Sequence, residues 1–137
     1  MTELARDLLR WFKSNGRKSL PWQSTPPNVY HIWLSEIMLQ QTQVITVIDY
    51  FNKFIACFPD LAALANAKED EVMSNWAGLG YYSRARNLHK TAKIVASIHK
   101  GVFPKKYDEI VALPGIGPST AGAILSLGSG LSTPILD

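Results

Sequence analysis

Apolar residues recur at helical spacing almost throughout this chain, and no stretch alternates apolar and polar positions long enough to make a useful strand, so the pattern predicts an all-α fold. Leu4, Leu8 and Trp11 mark one face of a first helix, which Asn15-Gly16 ends. Pro21, Pro26 and Pro27 make the stretch from Leu20 to Asn28 an irregular connector. A helix is predicted from Tyr30 to about Gln41; Val44, Val47, Ile48, Phe51, Phe54, Ile55 and Phe58 form the stripe of the next, which Pro59 stops. Two short helices follow over 60–66 and 68–76, and Gly78-Leu79-Gly80 then breaks the chain. A long helix is predicted from Ser83 to about His99, with Ala85, Leu88, Ala92, Val95 and Ile98 facing inward and Arg86, Lys90 and Lys93 on the far side. Tyr107 to Ala112 forms one more helix and Leu113 to Gly117 a tight turn; Pro118 to Leu127 forms a last helix, its proline at the favoured first-turn position.

Composition narrows the class. With 137 residues, 47% of them hydrophobic and 18% charged, the chain can bury a core as one domain and is no disordered tail. The net charge of +3 fits a polyanionic partner, but it also fits many proteins that never meet nucleic acid. Cys57 is the only cysteine, which excludes an internal disulfide and a four-thiolate zinc or iron–sulfur site within this chain, and fits a reducing, intracellular setting. Glu3, Arg6 and Asp7 interrupt the first apolar residues, against a secretory signal. Glu36, Gln40, Gln41, Thr42 and Gln43 interrupt the most apolar run, Ile32 to Ile48, against a membrane span.

Three segments carry candidate chemistry. Leu113-Pro114-Gly115-Ile116-Gly117-Pro118-Ser119-Thr120 has the shape of a helix-hairpin-helix. Its glycines leave room for backbone amides and a helix N-terminus to converge on a phosphate oxygen, although a Gly-x-Gly alone also fits an ordinary turn between helices. Glu36 is the only ionisable residue between His31 and Asp49, and its helical neighbours are Ile32, Trp33, Leu39 and Gln40. Such surroundings disfavour the charged carboxylate and prepare a proton donor of the kind a departing purine requires; the plainer alternative is a glutamate at the rim of an apolar face. Gln40-Gln41-Thr42 lies where that helix ends, where side-chain amides can fill a gap in a base stack. Gly78-Leu79-Gly80-Tyr81-Tyr82 sets aromatic rings on a tight turn, suited to wedging between bases or, equally, to filling a core.

In combination and in order, Leu20-Pro21-Trp22, Trp33 to Gln43, Gly78 to Tyr82, Arg84 to Leu88, Leu113 to Thr120 and Pro134-Ile135-Leu136-Asp137 resemble the MutY-type adenine DNA glycosylases of the helix-hairpin-helix (endonuclease III) superfamily. The resemblance implies a six-helix barrel domain over 22–131, with the hairpin at 107–128. It leaves 1–21 as helix and connector of an incomplete cluster domain, and 132–137 as a truncated link toward it. It implies a DNA-repair enzyme that removes adenine opposite 8-oxoguanine or guanine, with Glu36 protonating the adenine and Asp137 stabilising the sugar cation. Trp22, Gln23 and Leu39 are then expected near the adenine, and Gln41, Thr42, Leu79 and Tyr81, with Gln40 beside them, around the opposing purine. Gly115, Gly117 and Thr120 are expected to clamp the phosphate. Ser119 stands where strand-cutting relatives carry a lysine, so the resemblance implies a monofunctional enzyme.

Members of that family continue into four cysteines that hold a four-iron, four-sulfur cluster, which this chain lacks. The chain is therefore expected to be a fragment, weakly active or inactive, with the apolar face of its first helix free to self-associate. Two other functions fit the same residues: a glycosylase for another mismatched or oxidised base, and a non-catalytic hairpin module that only binds DNA.

Overall fold

A helix that is apolar on nearly every side must sit in the middle of a protein, and α1 (Val29–Met38) is of this kind: Tyr30, Ile32, Trp33, Leu34, Ile37 and Met38 are all buried. The structure is a computed structural model that describes residues 20–24 and 26–128. Asn28 starts α1 by accepting a hydrogen bond from the His31 amide at 3.1 Å. The helix expected over residues 4–14, its self-association, and Asp137 lie outside the described residues.

Some of the other helices pack directly on α1, and the rest pack on those. The next, α2 (Val44–Cys57), buries Val44, Val47, Phe51 and Phe54. α3 (Leu61–Asn66) starts at Asp60, whose carboxylate accepts from the Ala63 amide at 2.8 Å. α4 (Glu69–Trp76) carries Glu69, Asp70 and Glu71 in its first turn, where the helix dipole favours negative charge. α5 (Tyr82–Ile98) is the long helix, followed by α6 (Tyr107–Val111) and α7 (Pro118–Gly128). α1 packs against α7, α2 and α5; α3 and α4 both lie on α5, and α6 lies on α7. Among the described residues there is no strand, as the helical periodicity predicts.

Aromatic side chains fill the joints. Trp22 meets Phe51 edge-on at 5.4 Å, Trp33 meets Phe103 at 5.1 Å, and Phe54 meets Trp76 at 6.2 Å. The buried Tyr30 hydroxyl donates to the Phe58 carbonyl at 2.7 Å, tying the start of α1 to the end of α2, and burial raises its pKa.

Two sequence expectations are corrected. α1 ends at Met38 rather than near Gln41, because the backbone turns over at Gln41, whose φ is 59°. Ile98 does not face inward but is 69% exposed, since it lies in the last turn of α5, beyond Val95 where the buried stripe ends.

Burial sets the stability scale. Phe51→Ala should cost about 3–5 kcal/mol through the transfer and cavity terms. Ile98→Ala should stay within about 0.5 kcal/mol, both read from urea denaturation midpoints.

Candidate functional site

Two sharp corners and the hairpin meet on one face of α5. The first corner follows α1: the Leu39 amide donates back to the Ser35 carbonyl at 2.8 Å, and the chain reverses through Gln40, Gln41 and Thr42. The second joins α4 to α5 through Gly78 (φ 92°), Gly80 (φ 84°) and Tyr81 (φ 52°). A Cβ at Gly78 would run into the Tyr50 hydroxyl, which donates to the Ala77 carbonyl at 2.9 Å, so this corner admits only glycine there. Gln41 and Tyr81 are non-glycine residues held in the left-handed region, a conformation that costs free energy and persists only where the surroundings enforce it.

Arg84, in the first turn of α5, provides that enforcement. Its Nη1 lies 2.8 Å from the Ile37 carbonyl, 3.2 Å from that of Met38 and 2.6 Å from that of Gln40, while Nη2 donates to the Gly80 carbonyl at 3.3 Å. The guanidinium also lies 5.4 Å from the ring centroids of both Trp76 and Tyr81. Burial lowers the Arg84 pKa, yet its planar fork remains a cation matched to carbonyls converging from two directions.

The hairpin rests on the same helix. The Thr91 hydroxyl donates to the Pro114 carbonyl at 2.8 Å. A Cβ on Gly115 (φ 77°) would come within 2.9 Å of the Asn87 Cβ, so the close approach of hairpin and helix needs glycine. The Gly117 carbonyl accepts from the Ala121 amide at 3.0 Å, which leaves the Ser119 and Thr120 amides in a first turn that has no intrahelical acceptors for them. Ser119 and Gly117 are exposed; the Thr120 side chain is buried, so its backbone rather than its hydroxyl is what this turn can offer a ligand.

Glu36 is partly buried on α1, and desolvation, with no contribution from a neighbouring charge, raises its pKa to about 7. Gln40 and Gln41 are exposed, and Thr42 is partly buried. Tyr81 and Tyr82 are 60% and 42% exposed and so belong to the surface rather than the core. Trp22, Leu39 and Leu79 are buried in the core. Gln23 is exposed, its Oε1 accepting from the Leu20 amide at 3.0 Å. A cavity of about 120 Å³ opens between α1, α5 and the hairpin, lined by Trp33, Ile37, Gln40, Arg84, Asn87 and Gly115 among others. Glu36 is not in its lining, so the acid does not open into this hollow.

A family model for "HhH-GPD superfamily base excision DNA repair protein" matches residues 34–136, which span α1 from Leu34 through the hairpin and α7. The chain belongs to this superfamily. It is 55% identical over 130 residues to the adenine DNA glycosylase of Buchnera aphidicola subsp. Baizongia pistaciae, covering 95% of this chain and 37% of that protein. It is 39% identical over 145 aligned positions to the adenine DNA glycosylase of Homo sapiens, covering all of this chain and 26% of that protein. The chain thus spans little more than a third of the length of the bacterial relative. Among solved structures, a thermostable thymine-DNA glycosylase superposes with a TM-score of 0.77 at 24% identity, covering 98% of this chain and 61% of that one. An endonuclease III–DNA complex superposes at 0.74 with 18% identity, covering 100% and 64%. The fold of this HhH-GPD chain is therefore endonuclease III-like.

Arg84, Asn87 and Thr91 are not among the site residues the sequence predicts, although Arg84 and Asn87 lie in the stretch from Arg84 to Leu88 that carries the resemblance; one surface of α5 turns all three toward the corners and the hairpin. Their spacing is the signal that could have found them: polar residues three and four positions apart along a helix with an otherwise apolar inner stripe.

The raised Glu36 pKa has a thermodynamic consequence. The unfolded carboxyl ionises near 4.5 while the folded one holds its proton to about 7, so the native state loses stability as pH rises between these values and the loss is complete above the upper one. Relative to Glu36→Gln, the protein should lose about 3 kcal/mol across that window, measured as the pH dependence of the difference in urea midpoints.

Proposed function

We propose that the protein carrying this sequence hydrolyses the N-glycosidic bond of adenine mispaired with 8-oxoguanine or guanine in double-stranded DNA. The observation that carries the reading is Glu36: a partly buried carboxyl whose pKa desolvation raises to about 7, on the helix that leads into the Gln40-Gln41-Thr42 corner. Identity of 55% to an adenine DNA glycosylase over nearly the whole chain supports the choice of base. Glu36 gives its proton to the departing purine as the C–N bond breaks, and water completes the sugar. Asp137 is the second carboxylate, which stabilises the cationic sugar.

The hairpin amides hold the DNA backbone without reading its sequence, through Gly115, Gly117, Ser119 and Thr120. Tyr81 enters the stack from its corner, where exposure leaves the ring free to do so, and Gln40, Gln41, Thr42 and Leu79 surround the base opposite the adenine. Trp22, Gln23 and Leu39 lie toward the adenine; Trp22 and Leu39 are buried and Gln23 is tied to the Leu20 amide, which makes them walls of the site rather than mobile contacts. Ser119 offers no amine for attack on the sugar, so the strand is left uncut. The protein works where DNA is kept, in a reducing compartment.

The iron–sulfur cluster of this family is not held by these residues. Cys57 is exposed on α2 and is the one cysteine of the chain, whereas such a cluster takes four thiolates.

Adenine release from a duplex bearing adenine opposite 8-oxoguanine tests the reading. Glu36→Gln should lower the single-turnover rate by about a hundredfold or more, and the wild-type rate should fall about tenfold per pH unit above 7 as the acid ionises. Borohydride should trap no covalent DNA adduct. Release of thymine or an oxidised pyrimidine in place of adenine would reassign the substrate, and duplex binding with no base release would reduce the protein to a DNA-binding module.

A further inference from the structure

Three side chains of α5 reach three separate segments: Arg84 the two corners, Asn87 and Thr91 the hairpin. The corners themselves are far apart in sequence and share no backbone hydrogen bond among those between loops and turns, so the side chain that touches both governs their spacing. Arg84 does so through one planar group. Nη1 takes the carbonyls of Ile37, Met38 and Gln40, the first of which also accepts from the Gln40 amide at 3.3 Å, and Nη2 takes the carbonyl of Gly80. That Gly80 carbonyl also accepts from the Trp76 indole at 3.0 Å, and Trp76 is fully buried, so the arrangement is anchored to the core. The Arg84 Nε is buried with no hydrogen-bond partner, a cost that a residue serving only solubility or net charge would not carry.

We infer that Arg84 is a positioning residue: its guanidinium fixes the Gln40-Gln41-Thr42 corner relative to the Gly78-to-Tyr81 corner, so that Gln41 and Tyr81 are presented at one set spacing. The functional part of this inference rests on the glycosylase reading; the coupling of the two corners does not. Because the acceptors converge on a flat fork from both sides, a lysine keeps the charge and loses the geometry. Misplacement by a fraction of an ångström is enough to slow a reaction that depends on an inserted ring and an aligned base.

The test combines hydrogen exchange with catalysis. In wild-type protein at graded sub-denaturing urea, the amides of Gln40 and Thr42 on one corner and of Leu79 and Arg84 on the other should open as one unit, below the global transition. In Arg84→Lys, both sets should exchange about tenfold faster or more, together, while far-UV circular dichroism keeps its helical signal. Single-turnover adenine release at saturating enzyme should fall about tenfold or more, with duplex affinity changed less than about threefold. Faster exchange at one corner only, or at neither, overturns the proposal, and so does a lysine variant that releases adenine at the wild-type rate. If the lysine variant does not fold, the wild-type opening decides: one shared opening supports the clamp and two separate openings overturn it. If wild-type protein releases no adenine but the corners loosen together, the clamp stands and the activity reading alone falls.

Discussion

The last carbonyls of α1 point past the end of their own helix, and almost everything at the candidate site follows from how they are satisfied. The Gln40 amide reaches back to the Ile37 carbonyl at 3.3 Å, and the chain then reverses at Gln41. A cation from α5 takes the carbonyls of Ile37 and Met38 together with that of Gln40 in the turn beyond and, with its second nitrogen, one carbonyl of the opposite corner. Helix ends facing the interior need such partners, and here the partner comes from a residue more than forty positions away. The same helix then carries the hairpin on Asn87 and Thr91, so the surfaces that face DNA in the proposed function are registered against one rod rather than against each other.

Much of this was legible in the sequence, for identifiable reasons. Helix positions followed from apolar periodicity, and the ends from Asn28, Asp60 and Pro59, because local hydrogen bonding and sterics set both. The hairpin and the second corner were legible from their glycines, and Glu36 from its lone charge in an apolar run, with its pKa raised to about 7 by desolvation; the first corner carries no glycine, so its reversal at Gln41 was not. What the sequence hid is tertiary. Whether Tyr81 and Tyr82 face in or out depends on which face of a turn the core occupies, and periodicity says nothing about a turn. The clamping role of Arg84 is not written in local pattern, since its acceptors are backbone carbonyls, which every residue has. Ile98 continued a periodic stripe past the point where α5 has anything to lie against.

Burial of Glu36 and strain at Gln41 and Tyr81 pull in the same direction. Each is a local cost, and each is met by packing elsewhere: the α1 core around Trp33 and Leu34, the Phe54–Trp76 joint, the Tyr50 hydroxyl under Gly78. Functional surfaces often break local preference in this way, with the stable interior holding them in place.

One consequence follows from how Glu36 keeps its proton. Partial burial raises its pKa, and that burial is maintained by every neighbour at once. On the glycosylase reading, a substitution that merely lets a water molecule seep alongside α1 would acidify the donor and dull the chemistry while the melting temperature barely moved. On that same reading, damage of this kind surfaces as lost repair in a protein that still passes every test of being folded.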